Sequence, residues 1–246
     1  MGDLFDPIPI YSPGMLLDGN LPAVSTPAGY PLDLPSGQLL LDQLGHPWDI
    51  VHRLVTVAAV LVEDGDQLLA DIMKHLKGKN LREHMRRHFF KDHLKRYTKS
   101  RRKAPIYWPL YVPSGGWGVW VYAPSFTRET LYLIESAATA RLNASETEIA
   151  RLHREQQSKG TGRSARDIAD ALETEQRLAE EIGSFRQEAE RIAELEWKPD
   201  LDDGVVLCAA PLADLFPAWK DAEKERTNIK AGKYPWATVS RWADAL

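Results

Sequence analysis

Residues 165–197, "ARDIADALETEQRLAEEIGSFRQEAERIAELEW", decide the fold class. Ile168, Leu172, Ala179, Ile182, Phe185, Ala189 and Ile192 follow three- and four-residue steps, with Glu175 the one polar intruder. That period predicts a long helix, Ala165 to Trp197, with one apolar seam. Just upstream, "SKGTGRS" (158–164) is a flexible, Gly-containing break, and Thr127 to Gln157 reads as helix again. Two long helices around a short turn predict an antiparallel helical hairpin with a coiled-coil-like seam. Its default role is a structural strut, because amphipathic stripes are packing surfaces.

Outward from this hairpin the period changes. "PIYWPLY" (105–111) and "WGVWVYA" (117–123) flank "VPSGG" (112–116). β-branched and aromatic residues around a Gly-containing turn predict a β-hairpin. Ile106, Trp108 and Leu110 would share one face, and Tyr107, Pro109 and Tyr111 the other. Pro109 restricts its strand to an edge or a bulge, since proline cannot donate to a ladder. Before the strands, helical patterns cover Pro47–Val62, Gln67–Lys77 and Leu81–Lys99, the last with Asn80 as N-cap. After the helical hairpin, a loop, a short buried strand in "VVLCAAPL" (205–212) and a turn lead to a tail. There Trp236 and Trp242 are expected to pin the C-terminus to the body. The chain reads as α+β, mostly α. Its parts are an irregular Pro- and Gly-rich leader (1–46), a basic helical module with a β-hairpin (47–126), the helical hairpin (127–197) and a small C-terminal cap (198–246).

The 246 residues are 43% hydrophobic, enough for a sizeable core. One cysteine, Cys208, excludes an internal disulfide framework and fits a reducing compartment. It lies in an apolar run without basic neighbours and reads as a small buried hydrophobe. "MGDLFDPIPIYSPG" offers no basic region followed by an apolar stretch, so no secretory signal is expected. The longest apolar run, inside "WDIVHRLVTVAAVLVEDG", is too short to span a bilayer. A cytoplasmic protein without membrane partners follows.

Several patterns that could carry chemistry are weak. His84 and His88 lie four apart, but "REHMRRH" sets arginines beside them and supplies no third ligand. "DLDDG" (200–204) opens like a calcium loop but lacks the downstream bidentate glutamate, so an Asx-type turn is the simpler reading. "PSGGWG" lacks the Lys-Ser/Thr of a phosphate-binding loop. No G-x-S-x-G motif and no convincing pair of catalytic carboxylates occurs. No catalytic residue, metal or cofactor is assigned.

The charge distribution is informative. The net charge is −4, yet Lys74 to Lys103 holds thirteen Lys and Arg against Glu83 and Asp92. That surplus of eleven positive charges leaves the remainder near −15. Segregation of this kind points to a polyanionic partner. On a continuous helix from Leu81, Arg82 and Arg86 share a face, Arg87 lies beside it, and Lys91, Lys95 and Lys99 repeat the four-residue spacing. Dense like charges repel, and phosphates offset that repulsion most simply. The expected contacts are Lys91, Lys95, Arg96, Lys99, Arg101, Arg102 and Lys103 to phosphates, with Tyr107 as an aromatic at the edge. The competing reading pairs these cations with the acidic residues 173–203.

The stretch "FFKDHLKRYTKSRRKAPIYWPLYVPSGGWGVWVYAPSFTRETLYLI" (89–134) resembles a segment near the C-terminus of PglX-type proteins. These are the adenine-specific DNA methyltransferases of BREX phage-defence systems. The resemblance continues through the charged helical hairpin, "DLDDGVVLCAAPL" and "AGKYPWATVSRW", and covers roughly residues 47 to 246. The Asn/Asp-Pro-Pro-Tyr/Phe motif that holds the target adenine and the Gly-rich S-adenosylmethionine motif are both missing. The resemblance therefore implies the non-catalytic C-terminal part of such an enzyme, in the region associated with DNA target recognition and assembly. Double-stranded DNA is the expected partner. The alternative is an assembly subunit docking onto a catalytic methyltransferase or another defence protein. A divalent-ion enzyme built on Asp200, Asp202 and Asp203 is a third reading.

Overall fold

A computed structural model describes residues 38–40, 49–61, 64–77, 80–100, 102–158 and 163–246. The predicted leader falls almost entirely outside these residues; within it lies the short strand β1, Gln38–Leu40. The chain divides into two compact units, one ending at Phe89 and the other made, among the described residues, of Gln38 and Phe90–Leu246.

The first unit contains α1 (Ile50–Leu61), α2 (Gly65–Met73) and α3 (Leu81–Arg87). Asp49 is fully buried and organises it. Its Oδ1 accepts the backbone N–H groups of Val51 and His52, both at 3.0 Å, which satisfies the otherwise unpaired first turn of α1. The same carboxylate takes both Arg82 guanidinium nitrogens at 2.7 and 2.8 Å, tying α3 to the start of α1. A Cβ on Gly65 would lie 2.7 Å from Ala59 N, so the α1–α2 approach requires glycine there. Asn80 caps α3 as expected, accepting from Glu83 N at 2.9 Å.

The expected single helix over Leu81–Lys99 is instead two. α3 stops at Arg87, and α4 runs Phe89–Arg96, with His88 at φ −121° between them. α4 ends because the Thr98 hydroxyl donates to Leu94 O at 2.6 Å, occupying a carbonyl that another turn would need. The chain then forms a hairpin with no counterpart in the sequence reading: β2 (Thr98–Lys99) pairs antiparallel with β3 (Arg102–Lys103).

The second unit is built on two further hairpins. β4 (Tyr107–Tyr111) pairs antiparallel with β5 (Gly118–Tyr122), in the register Trp108 to Val121 and Pro109 to Trp120. β4 lies at the edge of its sheet, which accommodates Pro109. Both faces are buried from Tyr107 to Leu110, so the alternation does not separate a wet face from a dry one. Gly118 is required by its cross-strand partner, because a Cβ there would collide with the Tyr111 Cβ and Leu110 O.

α5 (Arg128–Gln157) and α6 (Ala165–Glu194) form the long helical hairpin. The caps are local: Thr127 N donates to Thr130 Oγ1 at 3.0 Å, and Ser164 Oγ accepts from Asp167 N at 3.1 Å. Ile168, Leu172, Ile182, Phe185, Ala189 and Ile192 are buried along α6, as the period requires. Glu175, the intruder, meets Arg141 at 2.8 Å and accepts from the fully buried Ser145 at 2.7 Å. Trp117 meets Phe185 edge-to-face at 5.3 Å, joining the β4–β5 turn to α6.

The segment expected to hold a buried strand is helical instead: α7 (Val205–Cys208) precedes a 3-10 helix, Ala210–Leu215. An apolar run without period fits either element, and the flanking Asp203–Gly204 turn and Pro211 favour short helical turns here. α8 (Lys220–Lys230) and a final 3-10 helix, Thr238–Ala245, close the chain. Trp242 does anchor this end, donating to Leu195 O at 2.8 Å. Trp236 does not: it is 66% exposed. Among the described residues no helix is long and apolar enough to cross a membrane.

Candidate nucleic-acid interface

The inner side of α4 is aromatic. Phe90 packs on Phe216 at 5.2 Å and Trp219 at 6.0 Å between ring centroids. His93 is only 2% exposed, and its Nε2 accepts the Tyr107 backbone N–H at 3.1 Å. Burial, reinforced by Arg96 nearby, lowers the His93 pKa to about 4, so the ring is neutral with its proton on Nδ1. This contact fixes α4 against β4 and leaves the opposite side of α4 to solvent.

Lys91, Lys95 and Arg96 occupy that outer side, all exposed. Lys95 Nζ reaches Asp92 at 3.3 Å in an exposed pair, which is worth little. Lys95 and Arg96 also sit in the last turn of α4, where a cation complements the helix dipole. The β2–β3 hairpin continues the charge. Lys99 and Arg102 are both exposed and lie directly opposite each other. Ser100, between them, adopts φ +50°, a left-handed conformation unusual for serine. Ala104 N bonds to Tyr97 O at 2.9 Å and closes the base of the hairpin.

Among the described residues, Lys91, Arg96, Lys99 and Arg102 make no ion pair, so four exposed cations stand along one helix and one hairpin. Arg101 lies outside the described residues. Two expected contacts need correction. Lys103 is engaged internally, with Nζ 2.6 Å from Asp221 Oδ2 at the start of α8. Tyr107 is 6% exposed, packed against His93 and Tyr122 at 5.5 and 5.3 Å, and has no face to offer a ligand. The helical stripe Lys91–Lys95–Lys99 is also broken, since Lys99 belongs to β2. Arg82, grouped with that basic face, is committed to Asp49.

Much of the acidic region 173–203 is occupied elsewhere. Glu175 holds Arg141, Glu181 accepts from Ser114, Glu188 holds Arg191, and Glu190 and Glu196 reach Arg186 and Arg128. Asp203 accepts the backbone N–H groups of Thr238 and Val239, both at 2.9 Å, and Asp200 accepts from Asp202 N and the Thr238 hydroxyl. "DLDDG" is therefore a clasp for the C-terminal segment, with an Asx turn at its start. Cys208 is buried, its thiol pKa pushed up to about 12 by burial and by Asp203 and Asp200. His84 is buried with Nδ1 2.9 Å from Lys77 O, an intramolecular hydrogen bond. Among the described residues no group of three or more His, Cys, Asp or Glu could hold a metal ion.

Trp236 forms part of the lining of an open cavity of about 410 Å³ beside the C-terminal end of α8. The mark of this place in the sequence is "KYPW" (233–236), where a proline precedes a large aromatic. No protein-family model matches this chain, and no curated protein matches it.

Proposed function

We propose that this protein binds duplex DNA through its sugar-phosphate backbone. Its role would be the non-catalytic recognition or accessory portion of a BREX-like adenine-specific DNA methyltransferase in phage defence. The observation that supports this reading is the set of exposed cations on α4 and β2–β3, of which Lys91, Arg96, Lys99 and Arg102 have no carboxylate partner among the described residues. Like charges directly opposite on a two-stranded hairpin destabilise it, and an anion that bridges Lys99 and Arg102 removes the repulsion. Lys91, Lys95, Arg96, Lys99 and Arg102 contact phosphates, and these contacts set position without reading sequence.

The test is the salt dependence of binding to a duplex of mixed sequence. Five phosphate contacts predict that log K falls against log salt with a slope of about −4 to −5. The double reversal Lys99→Glu/Arg102→Glu flattens the slope and abolishes binding at physiological salt. Binding that is indifferent to salt, or unchanged in the double variant, refutes the proposal.

A further inference from the structure

The cavity beside Trp236 belongs to the same unit as the basic hairpin. Pro235, Ile229 and Ala243 contribute apolar walls, Trp236 a broad aromatic surface, and Ser240 and Arg241 the polar edge. No acidic side chain lines it. Arg241 is exposed and makes no ion pair among the described residues. The tryptophan is exposed, and it sits on a hydrogen-bonded turn next to Tyr234. Its ring meets Tyr234 edge-to-face at 6.2 Å, and the Tyr234 hydroxyl donates to Glu225 at 2.6 Å. The turn itself is fixed by Ala237 N to Tyr234 O at 3.0 Å and by the Ser240 hydroxyl to Tyr234 O at 2.7 Å.

A solvent-facing indole lining the same cavity as a guanidinium that makes no ion pair among the described residues is complementary to a flat ring that carries an anion. We infer that this cavity takes an unpaired nucleobase, with the base stacked on Trp236 and its adjoining phosphate on Arg241. This rests on the reading that the unit meets DNA, and it names the part of the DNA that this end would hold. α8 links the two places: Asp221 in its first turn holds Lys103 of the hairpin, and its last turn leads to Gly232 on the cavity wall. Eleven helical residues span about 16 Å, a distance that a few nucleotides cover.

The full chain is titrated by fluorescence anisotropy against two probes, a blunt duplex and the same duplex with an oligo-dT overhang. The wild type is expected to prefer the overhang. Trp236→Ala weakens overhang binding about tenfold, within the range for loss of one base–aromatic stack, and leaves the blunt duplex unchanged. Trp236→Phe keeps part of the preference, and Arg241→Gln lowers the salt slope for the overhang probe by about one. Equal affinity of the wild type for the two probes, or a Trp236→Ala variant with undiminished preference, overturns the inference. Lys99→Glu/Arg102→Glu separates the two claims. If it leaves blunt-duplex binding intact while Trp236→Ala still removes the overhang preference, the cavity stands and the hairpin interface falls.

Discussion

Acidification should loosen the joint that presents the basic helix, and His93 is the group that makes it do so. In the folded protein Nε2 of His93 accepts the Tyr107 N–H, and the ring is enclosed by Tyr97 at 4.6 Å and Tyr107 at 5.5 Å, with Arg96 nearby. Protonating Nε2 would set two donors against each other and bury a charge. The folded pKa is accordingly about 4, against 6.5 for an ordinary histidine. Between these values the unfolded chain binds a proton that the folded chain refuses, so stability rises with pH. The contribution is fully present above pH 6.5, declines as pH falls towards 4, and is gone below that. A shift of this size corresponds to about 3 kcal/mol, a large share of a typical domain's stability.

Urea unfolding between pH 7.5 and 4 measures it. Carboxylates titrate over part of this range, so the informative quantity is the difference between wild type and His93→Gln. Glutamine offers an oxygen to the Tyr107 N–H and does not titrate. The wild type is expected to lose about 3 kcal/mol more than the variant across the window. Parallel stability profiles, or a His93 ring that titrates near 6.5 by NMR, would refute the reasoning.

Two further outcomes follow from charge. Glu175→Ala strands Arg141 and the buried Ser145 hydroxyl in the α5–α6 seam and should cost about 3 kcal/mol in urea unfolding; replacing Glu175 and Arg141 with leucine together with Ser145→Ala recovers most of it. Burial pushes the Glu175 carboxyl up, but hydrogen bonds from Arg141 and Ser145 outweigh this and hold its pKa below the ordinary value, so the penalty persists at neutral pH. Arg102→Gln removes the cross-strand repulsion with Lys99 and should stabilise the free protein by a few tenths of a kcal/mol while weakening DNA binding; a variant that loses stability contradicts this.

Periodicity made the larger elements legible. The seam from Ile168 to Ile192 and the aromatic strands around "VPSGG" carry their own period, and both hairpins form where that period places them. The break at His88 has no such mark. Nor does the β2–β3 hairpin, where the Thr98 hydroxyl competes with the helix backbone and Ser100 turns left-handed without a glycine. The basic surface was legible as composition, but the partnering of each cation was not. Lys103 meets Asp221 across 118 positions, and Arg82 meets Asp49 across 33. No local pattern encodes such pairs. Tyr107 illustrates the same limit. Alternation said which residues share its face, but the packing of His93 against that face is a tertiary fact.

The fold accounts for part of the basic surface and leaves a definite remainder. Lys103 joins β3 to α8, and Lys95 and Arg96 complement the C-terminal end of α4. Removing any of these should cost stability. Lys91, Lys99 and Arg102 have no such role: among the described residues they contact no carboxylate, and Lys99 and Arg102 oppose each other across the two-residue strands of the β2–β3 hairpin. Neutral residues would serve that hairpin better in the free protein. A position where the isolated fold is worse off for its charge is where an external anion has most to contribute, because binding then gains both the new contact and relief from the old repulsion. This is why the stability of Arg102→Gln and its DNA affinity are expected to move in opposite directions. A site whose charges served only the fold would show them falling together.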